Sequence, residues 1–389
     1  MAKYCIKCGN PCSDDALVCP RCGEMLQRNV SDYQQQKKFN SKKNYGVIVL
    51  CCLVAGVLVV GGILILLRFK GLLSKGNDEN NYTHDYFQDW FAEGEELEDN
   101  VAYFDDQTAI SRGTEGDYDY EEYEDGICIT KYNGSDERVQ IPDTIKDKNV
   151  LQVGNGDVVV DFNTVNCVIL PSGLKSIGAA AFKNLNSIND GSDHPYGEIN
   201  DEFMVEGISD SITYIGEEAF AGCKFENFTW PSGAKMINAK TFFEADISSI
   251  TLPDTLTNIG RESFAYSSLK SISIPETVSA VSEGSFRCCK RLDKVLLEDG
   301  VENLCDFAFY ETEQMKEISL PDSVKLIGSS CFVGSGISEI RIPKDAEAGH
   351  TSEDTLGSEP FSEYTTLIVA KGSAMQQYAS ENGYEFKTY

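Results

Sequence analysis

The sequence predicts a β-rich solenoid of short parallel strands with an irregular convex side, preceded by a small cysteine knuckle and a single membrane-spanning helix. Three observations predict it. Prolines and apolar residues recur every 22 or 23 residues through the C-terminal half. Two C-x-x-C-G turns crowd the first 23 residues, and residues 46–67 form an uncharged apolar run.

The knuckle comes first. Cys5-Ile-Lys-Cys8-Gly is followed, ten residues on, by Cys19-Pro-Arg-Cys22-Gly. Zinc takes four thiolates in tetrahedral geometry, and two paired turns supply them. Glycine after each second cysteine suits the left-handed turn that aims backbone N–H groups at sulfur. Cys5, Cys8, Cys19 and Cys22 are therefore the expected ligands of one zinc ion in a ribbon over residues 1–26, with Cys12 outside the pattern. So short a segment has little core, and metal binding would supply most of its stability. It resembles the short zinc-ribbon modules that open many bacterial membrane proteins.

A basic linker over residues 27–45 leads to the span. The 22 residues Gly46–Leu67 carry no charge, enough helix to cross a hydrocarbon core of about 30 Å. Lys37, Lys38, Lys42 and Lys43 precede it, and Arg68, Lys70 and Lys75 follow, too even a balance to orient it. The cysteines orient it, since zinc thiolates persist where thiols stay reduced. The N-terminus is expected in the cytoplasm and the remainder outside the cell.

Residues 68–117 read as an acidic stalk. Residues 77–126 hold eighteen acids and one base, Arg112, and like charges extend a chain. Aromatics such as Trp90, Phe91, Tyr103 and Phe104 leave room for local order. The net charge of −29 argues against nucleic acid as a partner, because phosphate binding runs on excess Lys and Arg.

Residues 118–389 carry the repeat. Prolines close short apolar strands at 231, 253, 275, 321 and 343, and Glu298 takes the slot between. In the turn around Pro253, Ile247, Ile250 and Leu252 precede the proline by six, three and one; Leu256, Ile259 and Phe264 follow by three, six and eleven. The next turn repeats this with Leu269, Ile272, Ile274, Val278, Val281 and Phe286. This is the leucine-rich-repeat pattern. Alternation turns the residues three and one before the proline inward. One repeat cannot bury its own apolar face, so neighbours must stack. About sixteen extra residues near Asn189–Val205 interrupt one strand.

Ile250–Gly260 with Ser263 and Phe264, and Ile318–Gly328 with Cys331 and Phe332, resemble BspA-type leucine-rich repeats of bacterial surface proteins. Ile127–Pro142 resembles that group's N-terminal cap and Ala374–Gly383 its C-terminal cap. The resemblance implies an adhesion or binding protein and no enzymatic activity.

The residues agree. His84, His194 and His350 are the only histidines and none lies near a nucleophile motif; no phosphate loop occurs. Cys288 and Cys289 could be a vicinal dithiol, but Cys289, like Cys223, lies three residues after a Phe of the frame, a slot that reads as buried. The expected partner is an extracellular protein or glycan. It would be met by two outward columns: Thr229, Thr251, Ser273, Leu296, Ser319 and Arg341, and beside them Asn227, Ser249, Ser271, Lys294, Glu317 and Glu339. The insertion is the rival site. A second reading makes the chain a transmembrane sensor or scaffold whose ribbon recruits a cytoplasmic partner. Metal analysis of the purified full-length protein tests the ribbon: Cys19→Ser should abolish stoichiometric zinc and Cys12→Ser should not. The reverse result would refute the ligand set.

Overall fold

The computed structural model describes residues 3–4, 11–12, 100–160, 164–184, 203–351 and 359–389. The four cysteine ligands, the linker, the span, the stalk up to residue 99 and insertion residues 189–202 lie outside the described residues. Among the described residues no helix is long and apolar enough to cross a membrane. The chain divides into two compact units, Met1–Glu95 and Glu96–Tyr389. In the first, Lys3–Tyr4 pairs antiparallel with Pro11–Cys12, Lys3 opposite Cys12.

The second unit is a solenoid with two parallel ladders. The strands that end at the proline slots form the first: Lys224–Thr229, Asp246–Thr251, Ser271–Ile274 and Lys294–Leu297, in that order. A bridge from Leu296 to Ser319 continues it, and Glu339–Arg341, Thr366–Val369 and Phe386–Thr388 pair beyond. Proline ends these strands because it has no N–H to donate. Glu298 keeps its N–H and gives it to Ile274 O at 3.1 Å, so the substituted slot extends the ladder.

The convex side was expected to be irregular and is not. Two-residue strands one turn after each proline slot make a second parallel ladder in two pieces: Ser176–Ile177 pairs with Tyr214–Ile215, and a separate six-strand run leads from Met236–Ile237 through Asn258–Ile259 to Glu347–Ala348. At the turn that leaves this ladder the repeats nearly touch. A Cβ on Gly260 would lie 2.7 Å from Ile237 O, and one on Gly216 would lie 2.4 Å from Ala179 N. Asn238 stands in the same slot and uses its side chain, donating Nδ2 to Ile215 O at 2.6 Å.

Between the ladders the chain turns two corners. The residue nine after each slot is left-handed in seven successive repeats: Ala180, Glu218, Lys240, Glu262, Gly284, Phe307 and Ser330. So is the residue thirteen after, at Gly222, Glu244, Tyr266, Cys288, Glu311 and Gly334. An L-residue with a side chain pays roughly 1–2 kcal/mol for that conformation. The neighbouring repeat holds it in place. Glu262, Phe264 and Tyr266 donate their N–H groups to Glu283 O, Ser285 O and Arg287 O at 2.8–3.0 Å, and the same three bonds recur at adjoining steps.

The phenylalanine between the corners points inward. Phe242, Phe264, Phe286, Phe309, Phe332 and Phe361 stack at 5.2–5.8 Å with their planes within 10° of parallel. Phe182 and Phe220 extend the column. All are buried, in one core that runs from Tyr120 to Tyr384. Trp230 is buried as its frame position requires, and its indole donates to Ala234 O at 2.7 Å.

The ends differ from expectation in one place. The stalk was expected to reach residue 117. Instead Ser111–Glu115 pairs antiparallel with Tyr118–Glu122, so the boundary falls inside a hairpin. Ahead of it Phe104 is buried in a small separate core, stacked on Tyr123 at 4.0 Å, and its N–H reaches Gln152 Oε1. Asn100 donates to Asn238 Oδ1 and Met236 Sδ. Acidity alone did not make this stretch a spacer, because its aromatics found an apolar surface to cover. At the other end a helix, Ala374–Glu381, is capped by Ser373 and buries Met375 and Ala379.

Truncating Phe264 to Ala should cost about 3–5 kcal/mol, as for other buried aromatics. Hydrogen exchange should speed first in the two neighbouring repeats and later elsewhere. Uniform acceleration from residue 130 to 380 would contradict a stack held by nearest neighbours.

Candidate binding surface

The register places the expected columns side by side on the first ladder from Asn227 and Thr229 to Lys294 and Leu296, with Ser319 bridged beyond and Glu339 and Arg341 on a separate sheet. Asn227 pairs with Ser249 and Thr229 with Thr251; Ser249 pairs with Ser271; Ser271 and Ser273 pair with Lys294 and Leu296. Leu296 bridges to Ser319. All twelve side chains are exposed or half-buried, while the residues between them, such as Phe228, Ile250, Ile272 and Val295, are buried. Strand alternation alone produces this division.

The face changes along its length. Its first half is short hydroxyls and an amide, which bond to one another: Ser249 Oγ donates to Asn227 Oδ1 at 2.6 Å. The second half is charged. Arg341 lies 3.5 Å from Asp322 and over the Tyr389 ring at 4.3 Å, and Glu339 pairs with Lys387. Exposed ion pairs of this kind contribute under about 1 kcal/mol each. They order side chains more than they hold the fold.

The face is longer than the proline frame implied. Glu339 and Arg341 pair with Thr366 and Ile368, and Leu367 with Phe386. Extra residues after Gly349 shift the last repeat out of step, so Phe361 stands eighteen residues after Pro343 and not eleven. On the other side Arg138, Cys167 and Met204 stand in register on three further strands. There Arg138 and Glu206 form an ion pair at 2.8 Å across Cys167. Pro142 and Pro171 follow the strands of Arg138 and Cys167.

The cysteines do what burial would have them do. Cys288 and Cys289 point apart: Cys288 Sγ meets Glu311 Oε2 at 3.4 Å, and Cys289 Sγ meets Phe264 O at 2.9 Å. Burial pushes their thiols up, to about 11 and about 12, so neither is a thiolate at neutral pH. Cys223 makes the equivalent contact to Phe182 O at 3.0 Å. The slot three after Phe is a structural position that bonds the repeat before it.

One carboxylate away from the face is out of place. Glu244 occupies a left-handed corner, is 7% exposed, and its Oε2 has no hydrogen-bond partner among the described residues. Burial pushes it up to about 7 from an ordinary 4.5.

A family profile described as "BspA type Leucine rich repeat region" matches residues 207–304 and 235–365, in six copies. Three solved structures are similar. One is a leucine-rich cell surface protein from Faecalibacterium prausnitzii A2-165, 19% identical with TM-score 0.29, covering 70% of this chain and 98% of that one. Another is the pneumococcal vaccine antigen PcpA, 18% identical with TM-score 0.35, covering 73% and 100%. The third is a leucine-rich-repeat protein from Bacteroides ovatus ATCC 8483, 17% identical with TM-score 0.27, covering 72% and 98%. No curated protein matches the sequence.

A folded-state pKa above the unfolded one means stability that is complete below pH 4.5 and lost as pH rises through 7. Glu244→Gln should therefore raise the melting temperature above pH 7 and leave it unchanged below pH 4.5. Equal melting curves at pH 8 would show that Glu244 is solvated.

Proposed function

We propose that this chain is a membrane-anchored surface protein whose leucine-rich repeats bind a protein or glycan partner outside the cell. The observation that carries the reading is the first ladder. Its outward columns are polar apart from Leu296 and recur over successive repeats with every side chain exposed or half-buried. A rigid row of hydroxyls, amides and charges can donate and accept hydrogen bonds across a broad partner surface. The core beneath it holds the row in register.

The anchoring rests on the sequence. Residues 46–67 would span the membrane, residues 1–45 would stay in the cytoplasm, and Cys5, Cys8, Cys19 and Cys22 would hold zinc. The pairing of Lys3–Tyr4 with Pro11–Cys12 supports the knuckle, since these are the segments that flank Cys5 and Cys8 in the sequence. The ion would supply structural stability and no chemistry in this reading.

The test uses intact cells displaying the full-length chain. Added protease should remove the repeats and spare the ribbon. Surface material captured by the parent should be lost when Thr251 and Ser273 are both replaced by lysine, and kept when residues 189–202 are deleted. If only the deletion loses capture while both variants stay folded, the exposed strands are not the binding face.

A further inference from the structure

Within that face, and resting on its being the binding surface, one spot differs from its surroundings. Leu296 is the only apolar side chain in the two columns from Asn227 to Arg341, and it is 51% exposed. Its column neighbours are Ser273 and Ser319, too short to shield it. A lone exposed leucine is ordinary on a protein surface. The charges around this one are not ordinary for a chain of net charge −29.

Lys294 stands two residues before Leu296 on the same strand and faces the same way. Lys270 lies beside it, its carbonyl accepting the N–H groups of Asp293 at 3.0 Å and Lys294 at 3.3 Å. Arg291 precedes them, and Lys316 occupies the next repeat. All four are exposed. Lys270, Arg291 and Lys294 have no ion-pair partner among the described residues, whereas Lys290 next to them is tied to Glu313 at 3.1 Å. Within residues 290–294 and 313–317 the acids are Asp293, Glu313 and Glu317 against Lys290, Arg291, Lys294 and Lys316, and Lys270 adds a fifth cation, so cations prevail.

We propose that Leu296, with Lys270, Arg291, Lys294 and Lys316, is the centre of the binding face, and that its partner is a protein presenting an apolar side chain bordered by carboxylates. An apolar anchor at the centre of a polar rim is the arrangement that concentrates binding energy. Unpaired cations favour an acidic partner, steer its approach and make the association salt-dependent. A sugar ring packs its C–H face on an aromatic ring, and the two columns from Asn227 to Arg341 contain none. A protein fits this spot better than a glycan does.

The probe is a fluorescein-labelled synthetic peptide with a Leu-Phe pair between runs of Glu and Asp. A control peptide replaces Leu-Phe with Ser-Ser. Fluorescence anisotropy against the full-length protein in detergent micelles should show binding that weakens with salt. Leu296→Ser and Lys294→Glu should each weaken it by about tenfold or more, with melting temperatures unchanged because both side chains are exposed. The proposal is overturned if the peptide fails to bind, if it binds no better than the control, or if neither substitution matters. Any of those results leaves the wider face to be judged by the Thr251 and Ser273 lysine variant, which lies in neighbouring repeats.

Discussion

Everything in this domain depends on the bonds that one repeat makes to the next at its two corners. The phenylalanine ring lies on the ring before it, and in six repeats, from Phe220 to Phe332, the backbone brings it there by entering and leaving through left-handed residues. No single repeat could maintain that shape. Three N–H groups per turn, at Glu262, Phe264 and Tyr266 in the turn around Pro253, are satisfied by carbonyls of the following turn. The strain is thus local and the compensation comes from a neighbour, which makes the fold a property of the stack.

That dependence bears on the register of the outward columns. A ladder of four- to six-residue strands would tolerate slippage if pairing were its only register. Here the corner bonds add a second constraint on the register, and the rings stack at 5.2–5.8 Å. Side chains on the exposed strands are free to vary because none of them is needed for alignment. The change from hydroxyls at Thr229 and Thr251 to charge at Arg341 takes place on an unchanged frame.

The frame itself was legible because prolines and apolar residues have one inward destination each. Strand alternation then located the outward columns residue by residue. The second ladder was not legible, since two-residue strands such as Asn258–Ile259 carry no alternation to read. The left-handed corners were hidden for a different reason: most are filled by Glu, Lys, Tyr or Cys, and only Gly284, Gly222 and Gly334 advertise the conformation. Residues 100–117 misled through composition, their charge masking Phe104, whose partners Tyr123 and Cys128 are distant in sequence. Cys5, Cys8, Cys19 and Cys22, the apolar run 46–67 and insertion residues 189–202 lie outside the described residues.

The occupied corners also bear on how such a domain changes over time. Ten of the left-handed sites carry a side chain where glycine would relieve the clash with the backbone. They lie away from the exposed strands, so relief there would leave the outward columns as they are. Where the side chain makes no contact of its own, the domain thus holds an unused margin of stability; at Tyr266, Cys288 and Phe307 it does not, since those side chains pack on their neighbours. A destabilising exchange on the exposed strands can be offset by a glycine one corner away, and those strands can be rewritten without loss of the scaffold.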